Sequence, residues 1–214
     1  MIPNTLHHIW VGDAMPGRLR DYVAGWRELH PEWTWCLWGD NDFGWLANQE
    51  LFDAAPDIVG PDEVGQLRSD IARLEILHRE GGVYVDCDME AVKSLDPLLG
   101  VSCFAGFEDR GRKWVNNAIF GAEPGHPFLA ALIEALPASV RAAQRAGIRR
   151  PNRFSGPQFI TPIWANRFRD QVTVHDSTLF YPYSWSELDR GGEQFPSAYS
   201  VHHWAHRRAT HAPC

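Results

Sequence analysis

Lysine is almost missing from this 214-residue chain: Lys93 and Lys113 are the only two, and arginine supplies the rest of the 20 basic residues. Against 27 acidic residues the formal net charge is −7, and no basic run is long enough to track a nucleic-acid backbone. Nucleic acid is therefore excluded as an expected partner. No stretch approaches the ~18 apolar residues of a membrane span, so no transmembrane segment is predicted. The opening MIPNTLHHIWVG has no charged region followed by an apolar one and does not read as a signal peptide. The four cysteines (Cys36, Cys87, Cys103, Cys214) form no CxxC pair, which argues against a zinc site or a disulfide framework and fits a reducing cytoplasm. Internal repeats, low-complexity segments and linkers are also missing, so one domain over residues 1–214 is predicted.

What is present reads as an ordinary globular chain, with 44% hydrophobic and 22% charged residues. The oddity is ten tryptophans, side chains that fill cores and also stack on sugar rings and nucleobases. LHHIWVG reads as a first strand, PGRLRDYVAGWRELHP as a helix burying Leu19, Val23, Trp26 and Leu29, and WTWCLWGD as a second strand. A helix from Glu63 to Glu80 carries Leu67, Ile71, Leu74 and Leu77 at helical spacing, and Gly81-Gly82 ends it. VYVDCD follows as a strand, apolar at its start and acidic at its tip. SCFAGFED and NNAIFGAE are further strands, HPFLAALIEALPASVRAAQRAG a helix interrupted or kinked at Pro137, and GPQFITPIWANRF a helix. VTVHD, TLFYPYSW and YSVHHW read as short closing strands. The alternation predicts an α/β fold, a mostly parallel sheet with helices on both faces.

Ligands of such sheets bind at the carboxyl ends of the strands, where Asp86 and Asp88 fall. Residues i and i+2 of a strand share a side, and two carboxylates that close repel unless a proton or cation intervenes. Mg²⁺ or Mn²⁺ suits such oxygen donors; a solvated strand end capping the next turn is the simpler alternative. The preceding helix adds Asp70 and Arg73, three residues apart and so on one face, with Arg68 a turn before them. They read either as a surface ion pair or as donors and acceptors for sugar hydroxyls and phosphate, for which a guanidinium fork is suited.

The block SDIARLEILHREGGVYVDCDMEAVKSLDPLL resembles the DXD-containing sugar-binding region of glycosyltransferase family 32. IPNTLHHIWVG, HPEWTWCLWGDND, NNAIFGAEPGHPFL, SGPQFITPIW and YSVHHW resemble other blocks of that family in the same order. The resemblance implies a GT-A fold, with residues 1–110 binding the nucleotide sugar and 111–214 forming the acceptor side and a C-terminal metal and phosphate segment. It implies transfer of a hexose from a UDP- or GDP-sugar, with retention, to a glycan, lipid-linked, protein or small-molecule acceptor, as in polysaccharide biosynthesis at the cytoplasmic side of a membrane. By matching position, Asp86 and Asp88 hold Mn²⁺ or Mg²⁺ on the diphosphate, Asp70 and Arg73 meet donor sugar and phosphates, and Trp10 stacks on the nucleobase. Asn117 lies near the donor sugar, and Ser155, Gly156 and Pro157 line the cleft. Of the adjacent His202 and His203, only one can face the site from a strand, and His203, directly before an aromatic, is the expected third ligand. Where the family continues with glycine-serine-tryptophan, this chain has Ala205-His206-Arg207, leaving His206, Arg207 or Arg208 for the C-terminal phosphate contacts. Cys87, Tyr84 and Met89 are expected to pack without chemistry. Glu90 reads as a surface acid, while Glu108 and Asp109 end a strand and are candidates for lining the sugar site.

Other classes make different demands. A nucleotidyltransferase carries a glycine-rich basic loop after its first strand, which GDAMPGRLRD fits poorly, and a haloacid-dehalogenase-like phosphatase places its D-x-D on the first strand. A sugar-binding module or inactive relative accounts for the tryptophans and predicts no turnover.

Overall fold

Residues 1–205 are described in the structure, a computed structural model; His206, Arg207 and Arg208, the candidates for the C-terminal phosphate contacts, lie outside the described residues. TLHHI and TWCLW form the parallel neighbours β1 (Thr5–Ile9) and β2 (Thr34–Trp38), joined by α1 (Gly17–Leu29). Helix α1 buries Val23 and Trp26, while Leu29 at its last turn is exposed. Two short helices, α2 (Gln49–Asp53) and α3 (Ala55–Ile58), lead to α4 (Val64–Glu80) and the strand β3 (Gly82–Val85). The chain continues through β4 (Met89–Ala91), β5 (Cys103–Phe107), β6 (Val115–Ala122), α5 (Pro127–Arg145), α6 (Pro157–Arg167), β7 (Thr173–His175) and β8 (Ser200–His202).

Six strands make one sheet in the order β2-β1-β3-β6-β5-β7, and β4 pairs with β8 in a separate antiparallel ribbon. β2-β1, β1-β3 and β5-β7 are parallel, whereas β6 runs antiparallel to both β3 and β5. Alternation then sorts side chains to two cores. Tyr84, Phe120 and Ala122 face the core built by α4, α5 and α6, while Val83, Val85, Phe104 and Ile119 face the one shared with α1 and the C-terminal segment.

The junction from α4 to β3 needs both glycines. Gly81 caps the helix at φ 67°, its N–H donating to Leu77 O at 2.9 Å, and a Cβ there would lie 2.6 Å from Pro124. Gly82, at φ 95°, would place a Cβ 2.6 Å from Thr5 O, so its lack of a side chain lets β3 lie against β1.

Three expectations are corrected. TLFYPYSW forms no strand: it holds one 3₁₀ turn, Ser177–Leu179, followed by irregular chain, because Tyr181 and Tyr183 are buried as wall residues instead of pairing in a ladder. VYVDCD is a strand only to Val85; Asp86 to Met89 is a turn, closed by Met89 N–H donating to Asp86 O at 3.1 Å, and β4 begins beyond it. Helix α5 passes through Pro137 unbroken. Proline leaves the carbonyl four residues back without its helical donor, and here the Asn48 side-chain amide donates to Ile133 O at 3.2 Å. The same amide donates to buried Glu75 at 3.0 Å.

Asn48→Ala should therefore strand both the Ile133 carbonyl and part of the Glu75 carboxylate. A loss of about 1–3 kcal/mol is expected, read as a lower urea midpoint with unchanged slope. His8 generates a pH-dependent prediction. Its Nδ1–H donates to Val85 O at 2.8 Å in a fully buried position, and burial pushes its pKa from 6.5 down to about 4. The unfolded chain takes up this proton first as pH falls, so the stabilisation is complete above 6.5 and is lost on the way to about 4. The term is about 3 kcal/mol, and the stability difference between wild type and His8→Asn, measured by urea unfolding from pH 7 to 4.5, should shrink as pH falls.

Candidate active site

Because β1 and β3 are parallel, their carboxyl ends, Ile9 and Val85, open on the same edge of the sheet. Asp86 sits there with its N–H donating to Ala118 O at 2.7 Å. The turn then reverses the chain and brings Asp88 back beside β8. His202 Nε2 lies 3.1 Å from Asp88 Oδ1, and Ala205 N–H donates to Asp88 Oδ2 at 2.8 Å. One donor atom each from Asp86, Asp88 and His202 falls within 4.8 Å of the others. A turn, not strand alternation, makes the carboxylates converge. Trp26 of α1 supports it from beneath, its Nε1–H donating to Met89 O at 2.7 Å.

Each acid has its own buried cation. Arg73 Nη2 lies 3.2 Å from Asp86 Oδ1 and 3.3 Å from Asp70 Oδ1. Its other donors reach Asn117 O at 2.7 Å, Ser69 O at 3.0 Å and Ser69 Oγ at 2.9 Å, and the guanidinium lies over the Tyr84 ring at 4.4 Å. Burial opposes the charge on Arg73, but Asp86 foremost and Asp70 raise its pKa, so it stays protonated. Tyr84 O–H donates to Asp86 Oδ1 at 2.6 Å. Asp70 is spoken for on both oxygens: Asn117 Nδ2 donates to Oδ1 at 2.9 Å and Ser155 Oγ to Oδ2 at 2.8 Å.

The two motif acids differ electrostatically. Burial raises the pKa of Asp86, with Asp88 adding to the rise and Arg73 opposing it. Burial would raise Asp88 as well, yet the charge and hydrogen bond of His202 and the Ala205 N–H bring it down to about 2. His202 moves the other way: burial lowers its pKa, but Asp88 and then Asp86 outweigh that and raise it. Each member of the pair thus favours the charged form of the other. The donor set fits a divalent ion, since two carboxylates and an imidazole converge and His202 Nδ1 is buried with no hydrogen-bond partner among the described residues.

Asp70, Arg73, Asp86, Asn117 and Ser155 thus form one connected network. Asp70, Arg73 and Asn117 are only 2, 3 and 4% exposed, so in this conformation they turn to one another and not to an open cleft. Gly156 and Pro157 begin α6 next to Ser155, and a Cβ on Gly156 would lie 2.9 Å from Asn152 Cα. Trp10, half-buried, follows β1 on the same edge, its Nε1–H donating to Asp13 O at 2.6 Å.

His203 was the expected third ligand, and it is His202 that lies beside Asp86 and Asp88. His203 Nε2 pairs instead with Glu90 at 2.8 Å, and its ring stacks on Tyr22 at 4.6 Å. Neighbouring side chains on β8 and just past it point opposite ways, and the pairing of Met89 with His202 decides which faces the turn. Glu90 is correspondingly the partner of His203 and not only a solvated acid. Tyr84 is the residue missed: two positions before Asp86, it shares that residue's side, which was the available signal. Cys87 packs inward, its Sγ–H donating to Ile9 O at 3.4 Å.

Residues 16–105 match the model of the glycosyltransferase sugar-binding region containing the DXD motif. The chain is 25% identical over 226 residues to inositol phosphoceramide mannosyltransferase 3 of Schizosaccharomyces pombe, covering 95% of this chain and 60% of the relative. It is 31% identical over 185 residues to mannosyl phosphorylinositol ceramide synthase CSH1 of Saccharomyces cerevisiae, covering 84% of this chain and 46% of the relative. It thus spans about half to two thirds of the length of these curated relatives. Among solved structures it resembles the PaToxG glycosyltransferase at TM-score 0.63 and 17% identity, over 78% of this chain and 70% of that one. It also resembles the UDP-bound glycosyltransferase domain of the YGT toxin at TM-score 0.55 and 11% identity, over 81% and 79%. The fold is GT-A.

Arg73→Met should leave Asp86 and Asp70 buried without their cation, at a cost of about 3–5 kcal/mol. Arg73→Lys keeps the charge but not the five-donor fork and should recover part of the loss. Urea unfolding of both variants at pH 7 is the check.

Proposed function

The chain belongs to the glycosyltransferase family whose sugar-binding region contains the DXD motif, and on that premise we propose that it is a metal-dependent, retaining hexosyltransferase acting from a UDP- or GDP-sugar on a hydroxyl acceptor. The observation that carries this reading is the convergence of Asp86, Asp88 and His202 at the carboxyl edge of the sheet, backed by a buried arginine.

These three residues would hold the cation, Mn²⁺ in preference to Mg²⁺ because one donor is an imidazole nitrogen. When bound, the ion supplies Lewis-acid charge at the leaving diphosphate, so no protein general acid is required there. Arg73 and Tyr84 fix Asp86 through its Oδ1. Asp70, Asn117 and Ser155 act as positioning residues by holding Arg73 and α6 against the strand end. Trp10 offers its ring to the nucleobase, and the Ser155-Gly156-Pro157 corner shapes the sugar side of the cleft.

Retention follows from attack on the face from which the diphosphate leaves. The bond from acceptor oxygen to the anomeric carbon forms as the bond from that carbon to the phosphate oxygen breaks. The leaving phosphate oxygen takes the acceptor's proton. Because the named relatives are mannosyltransferases, GDP-mannose is the first donor to test, with UDP-glucose and UDP-galactose beside it. The free thiols of Cys36, Cys87 and Cys103 support a reducing compartment. Among the described residues no helix is long and apolar enough to cross a membrane.

Calorimetry with UDP and GDP, each with and without Mn²⁺, tests the reading. One nucleotide should bind in a metal-dependent way, and Asp88→Ala should abolish that dependence. His202→Ala should weaken Mn²⁺ binding by about tenfold or more, and by more than His203→Ala does. Nucleotide binding indifferent to Mn²⁺ would sink the metal-dependent reading. Metal-dependent binding with no turnover of any donor would favour the sugar-binding alternative.

A further inference from the structure

Charge is spread unevenly along this acidic chain. Residues 135–169 hold seven of the 20 basic residues and none of the 27 acidic ones. Five of the seven, Arg141, Arg145, Arg149, Arg150 and Arg153, fall within residues 141–153, and all five are exposed. Arg141 and Arg145 stand one turn apart on α5, whose other side buries Leu136, Val140 and Ala143. Gly147, at φ 67°, turns the chain back at the end of the helix. Ile148 N–H then donates to Ala143 O at 2.9 Å and Ser139 Oγ–H to Phe154 O at 2.8 Å. The 3₁₀ turn Pro151–Arg153 is thereby folded against the end of α5 that carries Arg141 and Arg145. Arg149 donates to Val59 O at 2.6 Å, and none of the five is in an ion pair among the described residues. Arg167 and Arg169 stand apart. Contact of Phe128 with Phe168 at 5.2 Å puts the end of α6 beside the start of α5, and these two arginines lie over the rings of Phe168 and Trp164.

Like charges gathered at one end of a helix oppose one another, and no acid relieves them here although acids outnumber bases in the chain. A guanidinium fork binds the paired oxygens of a phosphodiester, and about four to eight basic residues on an amphipathic helix is the pattern that attracts anionic phospholipid. Between residues 141 and 153 no aromatic side chain accompanies the arginines, so unstacked bases would find no platform there. A bilayer meets only the face turned to it, and with a screening length of about 8 Å the acids elsewhere on the protein are little felt.

We propose that the end of α5 and the turn after it form a docking face for an anionic phospholipid bilayer, with Arg141, Arg145, Arg150 and Arg153 meeting the lipid phosphates. Ser155, two residues beyond Arg153, donates to Asp70 at 2.8 Å, so the docked face is joined directly to the network around Arg73.

Co-sedimentation of the full chain with vesicles of phosphatidylcholine alone, and of phosphatidylcholine mixed with phosphatidylglycerol, tests this. Expected is binding to the mixed vesicles about tenfold or more tighter than to phosphatidylcholine, weakening as salt is raised. Arg141→Gln, Arg145→Gln and Arg150→Gln combined should lose about tenfold or more of that affinity. Arg20→Gln, Arg27→Gln and Arg110→Gln combined, exposed arginines elsewhere with the same change of charge, should lose about twofold or less. Melting curves show that both variants are folded. Inorganic phosphate and glycerol 1-phosphate should not compete. Equal affinity for both kinds of vesicle, binding to neither, or an equal loss in the two variants overturns the proposal. Competition by the free phosphates overturns it in favour of a small-anion site, and tighter binding of a single-stranded oligonucleotide than of the vesicles in favour of a nucleic-acid face.

Discussion

The arrangement at the carboxyl edge of the sheet depends on where one guanidinium is held. An arginine keeps its charge under any condition that leaves a protein folded, so burying Arg73 obliges the structure to surround it with acceptors. It does so with Ser69 and Asp70 from the same helix, Asp86 from the strand tip and the Asn117 carbonyl from β6. Three segments far apart in the chain are tied through one side chain. A buried ion pair of this kind is a poor source of net stability, because desolvation consumes most of the attraction. Its retention is better understood as geometry, since it fixes the strand end, the helix face and α6 relative to one another before any ligand arrives.

The charge balance of the site follows from this. Arg73 lies between Asp70 and Asp86, and His202 lies against Asp88, so three carboxylates share one fixed cation and one imidazole whose protonated form they favour. Asp88, held to about 2, is the more acidic of the two, whereas burial raises Asp86 and Arg73 is the largest influence opposing that rise. A divalent ion held among Asp86, Asp88 and His202 would add positive charge at this edge. That is the sign a departing diphosphate requires, and it is reached without moving a protein charge during the reaction.

Much of this was legible in the chain. Gly81-Gly82 marked the end of a helix, and the structure adds that each glycine meets a backbone or proline atom that a Cβ would strike. The Asp70–Arg73 spacing put both on one helical face. Other features lay beyond local pattern. Pro137 predicts an interruption or a kink, yet α5 runs on through it, and the freed Ile133 carbonyl takes a hydrogen bond from the distant Asn48 amide. The choice between His202 and His203 turned on the register of β4 against β8, and β4 itself, three residues long, has no periodicity to detect. Tyr84 was read as core by its apolar neighbours, although its spacing from Asp86 carried the signal. Convergence of Asp86 and Asp88 was anticipated for the wrong reason: the residues after Val85 turn, and strand alternation plays no part.

The division between what could and could not be read tracks the two sides of the reaction centre. Asp70, Arg73, Asp86 and Asp88 come from one short run, α4 through the turn at Asp88, where helix period, glycine punctuation and paired acids are local properties, whereas Asn117, Ser155 and His202 reach them from distant elements. The neighbouring cavity is assembled from the loop after β5 and from chain around residues 177–187, whose relation depends on Gly106 admitting Phe180 and Tyr181 at distances tighter than a Cβ tolerates. Loops of that kind place side chains without imposing a period on the sequence.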